Sequence, residues 1–138
     1  MRPGGVSGRG GSIINLSSVM GLSGSIALAS YNASKGAVRL LTKSVAAECA
    51  MLGMGIRCNS IHPGIIESDM GTSFLRQLVD LGVAPDMEAA EGGFLAAVPM
   101  GESGKPQDVA SGIIILASDA SRYMTGAELV IDGGFNAT

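Results

Sequence analysis

The chain has no tryptophan, two tyrosines and three phenylalanines, so aromatics are 4% of its 138 residues. A core must therefore be built from Ile, Leu, Val, Ala and Met. Charge is scarce as well, at 15%, and a net charge of −3 leaves no basic face for nucleic acid phosphates. Long apolar runs are missing. The strongest, GIIILA at 112–117, is far too short to cross a bilayer, which argues against a membrane partner. No apolar signal core opens the chain, so the expected compartment is the cytoplasm. Two cysteines and a single histidine at scattered spacing lack the ligand count of a metal site. Cys49 and Cys58 read as small buried hydrophobes and not as a disulfide.

What is present is 46% hydrophobic residues and 21 glycines, a globular composition of a size that suits one core. Residues 1–11 read as a Gly-rich loop. SIINLSS at 12–18 carries the short apolar run of a strand buried on both faces. Residues 19–30 read as an extended loop. A helix is expected from Tyr31 to about Gly53, with Val38, Leu41, Val45, Cys49 and Leu52 on its inner face. IRCNSIHPG at 56–64 reads as a second strand, so 12–64 forms a βαβ unit with parallel strands. Residues 65–105 are less regular and read as a substrate or lid segment, with helices near 69–81 and 88–98. The segment 106–138 reads as a helix with Pro106 in its first turn, then a strand. Val109, Ile113 and Leu116 are expected on that helix's inner face, extended by Ile114 and Ile115. The fold class expected is α/β, one domain of about three parallel strands with flanking helices.

Tyr31 and Lys35 lie one turn apart on the first helix. A lysine beside a phenol favours the phenolate, which suits general acid–base work near neutral pH. Y-x-x-x-K is common by chance, and a solvated lysine at an exposed helix start is the plain alternative. Ser17 and Ser18 end the first strand, and ligands gather at the carboxyl ends of strands in open parallel sheets. A serine hydroxyl there could donate to a substrate oxygen, while ordinary loop capping is the plain alternative. His62 reads as a strand-end residue. Asn15 and Asn59 read as side chains that hold loop backbone, and Asp132 as the anchor of the last turn. Met20, Met51, Met54, Met70 and Met100 read as packing, with Met70 and Met100 possible pocket linings.

Five segments in order carry a resemblance: GGSIINLSS, YNASK with Tyr31 thirteen residues after Ser18, GIRCNSIHPG, PMGESGKPQDVA and ELVIDGG. Together they resemble the C-terminal half of a classical short-chain dehydrogenase/reductase, from about Gly11 to Ala137. The resemblance implies half of a Rossmann-like doubly wound sheet. It also implies hydride transfer between NAD or NADP and an alcohol or ketone. Ser18 then matches the serine that stabilises the substrate oxygen, Tyr31 the acid/base, and Lys35 the lysine that lowers the tyrosine pKa and holds the ribose hydroxyls. Pro63 and Gly64 match the turn on the nicotinamide side, and Ile66 the position whose backbone meets the carboxamide. Ser68 stands where the family usually has threonine. Asp69 departs from the frequent proline and leaves the loop path open.

The family's N-terminal half holds the phosphate loop and the residue that chooses NAD or NADP, and neither has a matching position here. Gly4, Gly8 and Gly10 have the spacing G-x-x-x-G-x-G, but a strand follows them where a phosphate loop needs a helix. The expectation is therefore a truncated domain whose first strand has an exposed edge and whose chains form a homo-oligomer. The alternative to an enzyme is a non-catalytic remnant that serves as an oligomerisation or binding module. A serine hydrolase is disfavoured, because Ser18 has no His/Asp partners at suggestive spacing.

Overall fold

The computed structural model describes residues 10–137. The loop expected over 1–11 therefore lies outside the described residues up to Arg9. Seven main elements follow in order: β1 (Gly11–Leu16), α1 (Ala29–Met51), β2 (Ile56–Pro63), α2 (Asp69–Asp80), α3 (Met87–Leu95), α4 (Pro106–Ala117) and β3 (Glu128–Ile131). The strands form one parallel sheet in the order β1-β2-β3. This is the expected α/β, Rossmann-like architecture, with helices packed on the sheet.

The central strand β2 is the most buried, because it has a strand on each side and helices α1 and α4 against it. Four of its residues are polar, and each finds a partner outside the strand. The Arg57 guanidinium donates to the Leu116 and Ser118 carbonyls at 3.0 and 3.2 Å, and so satisfies acceptors at the C-terminal end of α4. Asn59 donates to Met124 O and accepts from Ala127 N–H, which holds the loop ahead of β3. Ser60 and His62 bond each other at 2.8 Å, and outside the strand Ser60 Oγ reaches Ala127 O at 3.5 Å and His62 Nδ1 reaches Ser18 O at 2.9 Å.

Several expectations change. β1 is half-buried along its length and not buried on both faces; among the described residues it pairs only with β2. The loop over 19–30 contains a short 3-10 helix, Val19–Gly21, and α1 starts at Ala29. The inner face of α1 is Thr42, Ala46 and Cys49, while Leu41 is 57% exposed and Leu52 also faces outward. Small side chains let the helix lie close to the sheet. Asn15 uses this contact: its amide donates to Thr42 Oγ1 at 2.9 Å, so it fixes a helix and not a loop. On α4 Leu116 is buried as expected, and Gly112 is the other buried residue. A Cβ there would sit 2.6 Å from Ile131 Cδ1 and 3.0 Å from Ile61 Cδ1. The close approach turns Ile113, Ile114 and Ile115 outward, with Ile114 68% exposed.

Helix α1 is also bound to β3. Arg39 Nε and Lys43 Nζ both reach Glu128 Oε1, at 2.8 and 2.7 Å. The hydrogen bond from Arg39, with that from Lys43 and both positive charges, lowers the Glu128 pKa from its ordinary value of 4.5 to about 2, against the opposing effect of burial. A lowered folded pKa means that the carboxylate stabilises the fold fully above its unfolded value and loses that contribution as pH falls. Urea denaturation from pH 6 to about 2.5 is therefore expected to show a decline for the wild type below pH 4.5. Glu128→Gln should remove part of that decline, and identical slopes in the two proteins would contradict the ion-pair account.

Candidate functional site

The site begins where β1 and β2 end. Ser17 N–H donates to Ile61 O at 2.9 Å, the last rung between the two strands. Beyond it, Ser18 is buried, extended, and caps the 3-10 helix: its Oγ accepts from Met20 N–H at 3.1 Å. Among the described residues this is the one bond to that oxygen, so the hydroxyl proton is left for a ligand.

Two hydrogen bonds tie helix α1 to this strand end. Ser17 Oγ donates to Lys35 O at 2.8 Å, and Lys35 Nζ donates to Leu16 O at 3.1 Å. Gly21 makes the approach possible, since a Cβ there would meet Lys35 O and Ser17 Oγ, each at 2.8 Å. Tyr31 stands in the first turn of α1. The Lys35 ammonium lies 5.5 Å from the centre of its ring, a cation–π distance.

The opposite wall comes from the end of β2. Gly64 N–H donates to Ile131 O at 2.9 Å, and a Cβ at Gly64 would lie 2.9 Å from Asp132 Cα, so only glycine lets β3 end so close. Asp132 anchors the following turn, as expected, by accepting from the N–H groups of Gly134 and Asn136. Ile66 bridges to Gly104 just before α4. Ser68 is the N-cap of α2: its Oγ accepts from Gly71 N–H at 3.2 Å and donates to Ile66 O at 3.1 Å. Its hydroxyl proton is therefore already in use.

These walls enclose a cavity of about 670 Å³, within the range of small-molecule sites. Ser18, Tyr31, Lys35, Pro63, Gly64, Ile66 and Ser68 all line it, so these seven residues meet in one place. Helices α2 and α3 supply an apolar side with Met70, Phe74 and Phe94. Phe74 packs edge-on against Phe94 at 5.8 Å, over a small core of Leu75, Leu78 and Ala90. Lys35 is the one charged side chain among the lining residues. Met70 lines the cavity as expected, whereas Met100 does not and is 70% exposed. The phenylalanines have no motif, and only their position on amphipathic helices beyond a strand end could have pointed to them. Ala27, at φ 63°, adds a strained non-glycine backbone to the cavity wall.

Among the described residues no cluster of His, Cys, Asp and Glu fits a metal ion, and no helix is long and apolar enough to cross a membrane.

Comparison with known proteins gives one picture. The family model for enoyl-(acyl carrier protein) reductase matches residues 1–136. The chain is 45% identical over 130 residues to an NADP-dependent (R)-specific alcohol dehydrogenase of Lentilactobacillus kefiri, covering 94% of this chain and 47% of the relative. It is 42% identical over 130 residues to an inactive 2-(S)-hydroxypropyl-CoM dehydrogenase 2 of Xanthobacter autotrophicus, covering 94% of this chain and 53% of the relative. A solved structure from Agrobacterium tumefaciens with bound NADP, provisionally described as a 2-deoxy-D-gluconate 3-dehydrogenase, superposes with a TM-score of 0.81 at 36% identity. It covers 96% of this chain and 49% of its own. The chain thus spans about half the length of the relatives it matches.

The capping geometry of Ser68 sets an expectation for stability. Ser68→Ala should cost about 1 kcal/mol in urea denaturation, and Ser68→Thr less than half of that, as for N-caps in general. Equal stability of Ser68→Ala and wild type would show that the hydroxyl does not hold the start of α2.

Proposed function

The chain belongs to the short-chain dehydrogenase/reductase family, and on that premise we propose that its cavity carries out the proton transfer of an NAD- or NADP-dependent alcohol/ketone oxidoreductase. The observation that supports this reading most is the convergence of Ser18, Tyr31 and Lys35 on one apolar cavity at the strand ends.

The lining fits the nicotinamide end of such a cofactor. Among the described residues Lys35 Nζ has one bond, to Leu16 O, and its other hydrogens suit ribose hydroxyls. Pro63, Gly64, Ile66 and Ser68 would form the wall on that side, with backbone groups available to a carboxamide. When bound, the cofactor supplies the hydride chemistry.

The chain's own residues handle the oxygen and its proton. In oxidation, the alcohol oxygen sits between Ser18 Oγ and the Tyr31 hydroxyl oxygen. Ser18 donates its free proton to that oxygen and holds it in place. Tyr31, as phenolate, takes the hydroxyl proton while the carbon gives up hydride. The Lys35 ammonium, 5.5 Å from the ring centre, is the positive charge beside that step. In reduction the same proton returns from Tyr31 to the carbonyl oxygen. The apolar wall of Met70, Phe74 and Phe94 suits a neutral, hydrophobic alcohol or ketone. The outward-facing Leu40 and Leu41 of α1 and Ile113–Ile115 of α4 support a homo-oligomer.

A second reading has its own support. One relative at 42% identity is named inactive, which favours a non-catalytic binding or oligomerisation module. One experiment separates the two. NADH and NADPH are titrated by nicotinamide fluorescence, then turnover is assayed on a panel of alicyclic and open-chain ketones. Saturable binding is expected for one nucleotide, with turnover that Tyr31→Phe lowers by at least about 100-fold, the scale of general acid–base catalysis. Absence of both saturable binding and turnover would overturn the catalytic reading in favour of the module.

A further inference from the structure

His62 is fully buried on β2, one residue ahead of the Pro63–Gly64 turn, and does not line the cavity. Its Nδ1 lies 2.9 Å from the carbonyl oxygen of Ser18, and its Nε2 lies 2.8 Å from Ser60 Oγ. A carbonyl oxygen only accepts, so the hydrogen of a neutral ring is assigned to Nδ1. Nε2 is then an acceptor, and the Ser60 hydroxyl donates to it. The competing acceptor for that hydroxyl, Ala127 O, is at 3.5 Å, the far limit of a hydrogen bond. The Ser18 carbonyl thus selects the tautomer that presents a hydrogen to it, and the Ser60 hydroxyl, free to donate, satisfies the Nε2 left as acceptor.

The Ser18 carbonyl also accepts from Gly21 N–H at 2.9 Å. Its two lone pairs are both engaged, one by the 3-10 helix and one by the imidazole. Together they fix the peptide plane that follows Ser18. That plane leads to Met20, whose N–H orients Ser18 Oγ at 3.1 Å. We infer that His62 is a positioning residue for the reaction. Through the Ser18 backbone it fixes the direction in which the Ser18 hydroxyl presents its proton to the substrate oxygen, and Ser60 holds the far side of the imidazole by donating to Nε2. The inference rests on the reading of Ser18 as the substrate-oxygen donor. It adds Ser60–His62 as a support that reaches the cavity from inside the sheet. A small misplacement of a group that orients substrate can cost up to about a hundredfold in rate.

The test uses the fact that His62 is the only histidine of the chain. Long-range ¹H–¹⁵N correlation of the imidazole should show Nδ1 protonated and Nε2 unprotonated. An Nε2-protonated neutral ring would overturn the inference directly. Kinetics then test the consequence, with folding of each variant checked by circular dichroism. His62→Leu should lower kcat about tenfold or more, on the scale given for misplaced groups. His62→Asn keeps an amide N–H at the place of the ring Nδ1 and should remain within about threefold of wild type on that scale. In a Ser18→Ala background, His62→Leu should cost nothing further, as expected for residues that act through one another. Equal kcat for folded His62→Leu and His62→Asn, or additive losses with Ser18→Ala, would overturn the role of His62 and leave that of Ser18 standing. A Ser18→Ala variant with wild-type kcat would instead overturn the reading of Ser18, and this inference with it.

Discussion

The structure depends on a strand that is buried and polar at once. β2 carries Arg57, Asn59, Ser60 and His62 through the middle of the sheet, and Asn59, Ser60 and His62 are almost without solvent contact. A buried polar group without a partner costs about 1–3 kcal/mol, so each of these side chains constrains what lies beside it. Arg57 requires the end of α4, Asn59 requires the loop into β3, and the Ser60–His62 pair requires the end of β1. Neighbouring elements are therefore placed by specific bonds as well as by packing. The strand ends then fall at one edge of the sheet, where a cavity forms.

Helix α1 converts that placement into possible chemistry. The 3.6-residue turn puts Tyr31 and Lys35 on one side of it. The pair of bonds between residues 16–17 and Lys35 holds that side against the end of β1. The small residues Gly21, Thr42 and Ala46 allow the close approach. The phenol, the ammonium and the Ser18 hydroxyl come together because a rigid helix is pinned at its start to a strand that is itself pinned to β2. At the far end of the unit, Glu128 ties the same helix to β3 through Arg39 and Lys43. The helix is thus fixed to the sheet at both ends of the β1-β2-β3 order.

Much of this was legible in the sequence, for identifiable reasons. The elements over 56–63, 69–80 and 106–117 follow from turn residues and apolar periodicity, which are local properties. All seven candidate site residues meet in one cavity because their segments end or begin at the same edge of a parallel sheet. Which face of each helix is buried was legible only in part, since Cys49 and Leu116 lie inside as expected. The periodic apolar residues Leu41 and Ile113–Ile115 point outward, while Thr42 and Gly112 face the sheet. Close helix–sheet packing selects small residues, and a pattern of hydrophobicity cannot weigh that. His62 shows the same limit. As a letter it is a strand-end residue, and only the positions of Ser18 O and Ser60 Oγ around its ring reveal its bonds. Ser68 was legible only as a hydroxyl where the family usually has threonine, and the bonds that make it the cap of α2 appear only in the structure.

The central claim is that a substrate oxygen is held between Ser18 and Tyr31 at the end of β1. The most direct measurement is a crystal structure of the protein with NADP or NAD and a bulky alicyclic alcohol. The account predicts the alcohol oxygen at hydrogen-bond distance, about 2.7 Å, from both Ser18 Oγ and the Tyr31 hydroxyl oxygen. An alcohol seated in the cavity with its oxygen beyond reach of either hydroxyl would contradict it.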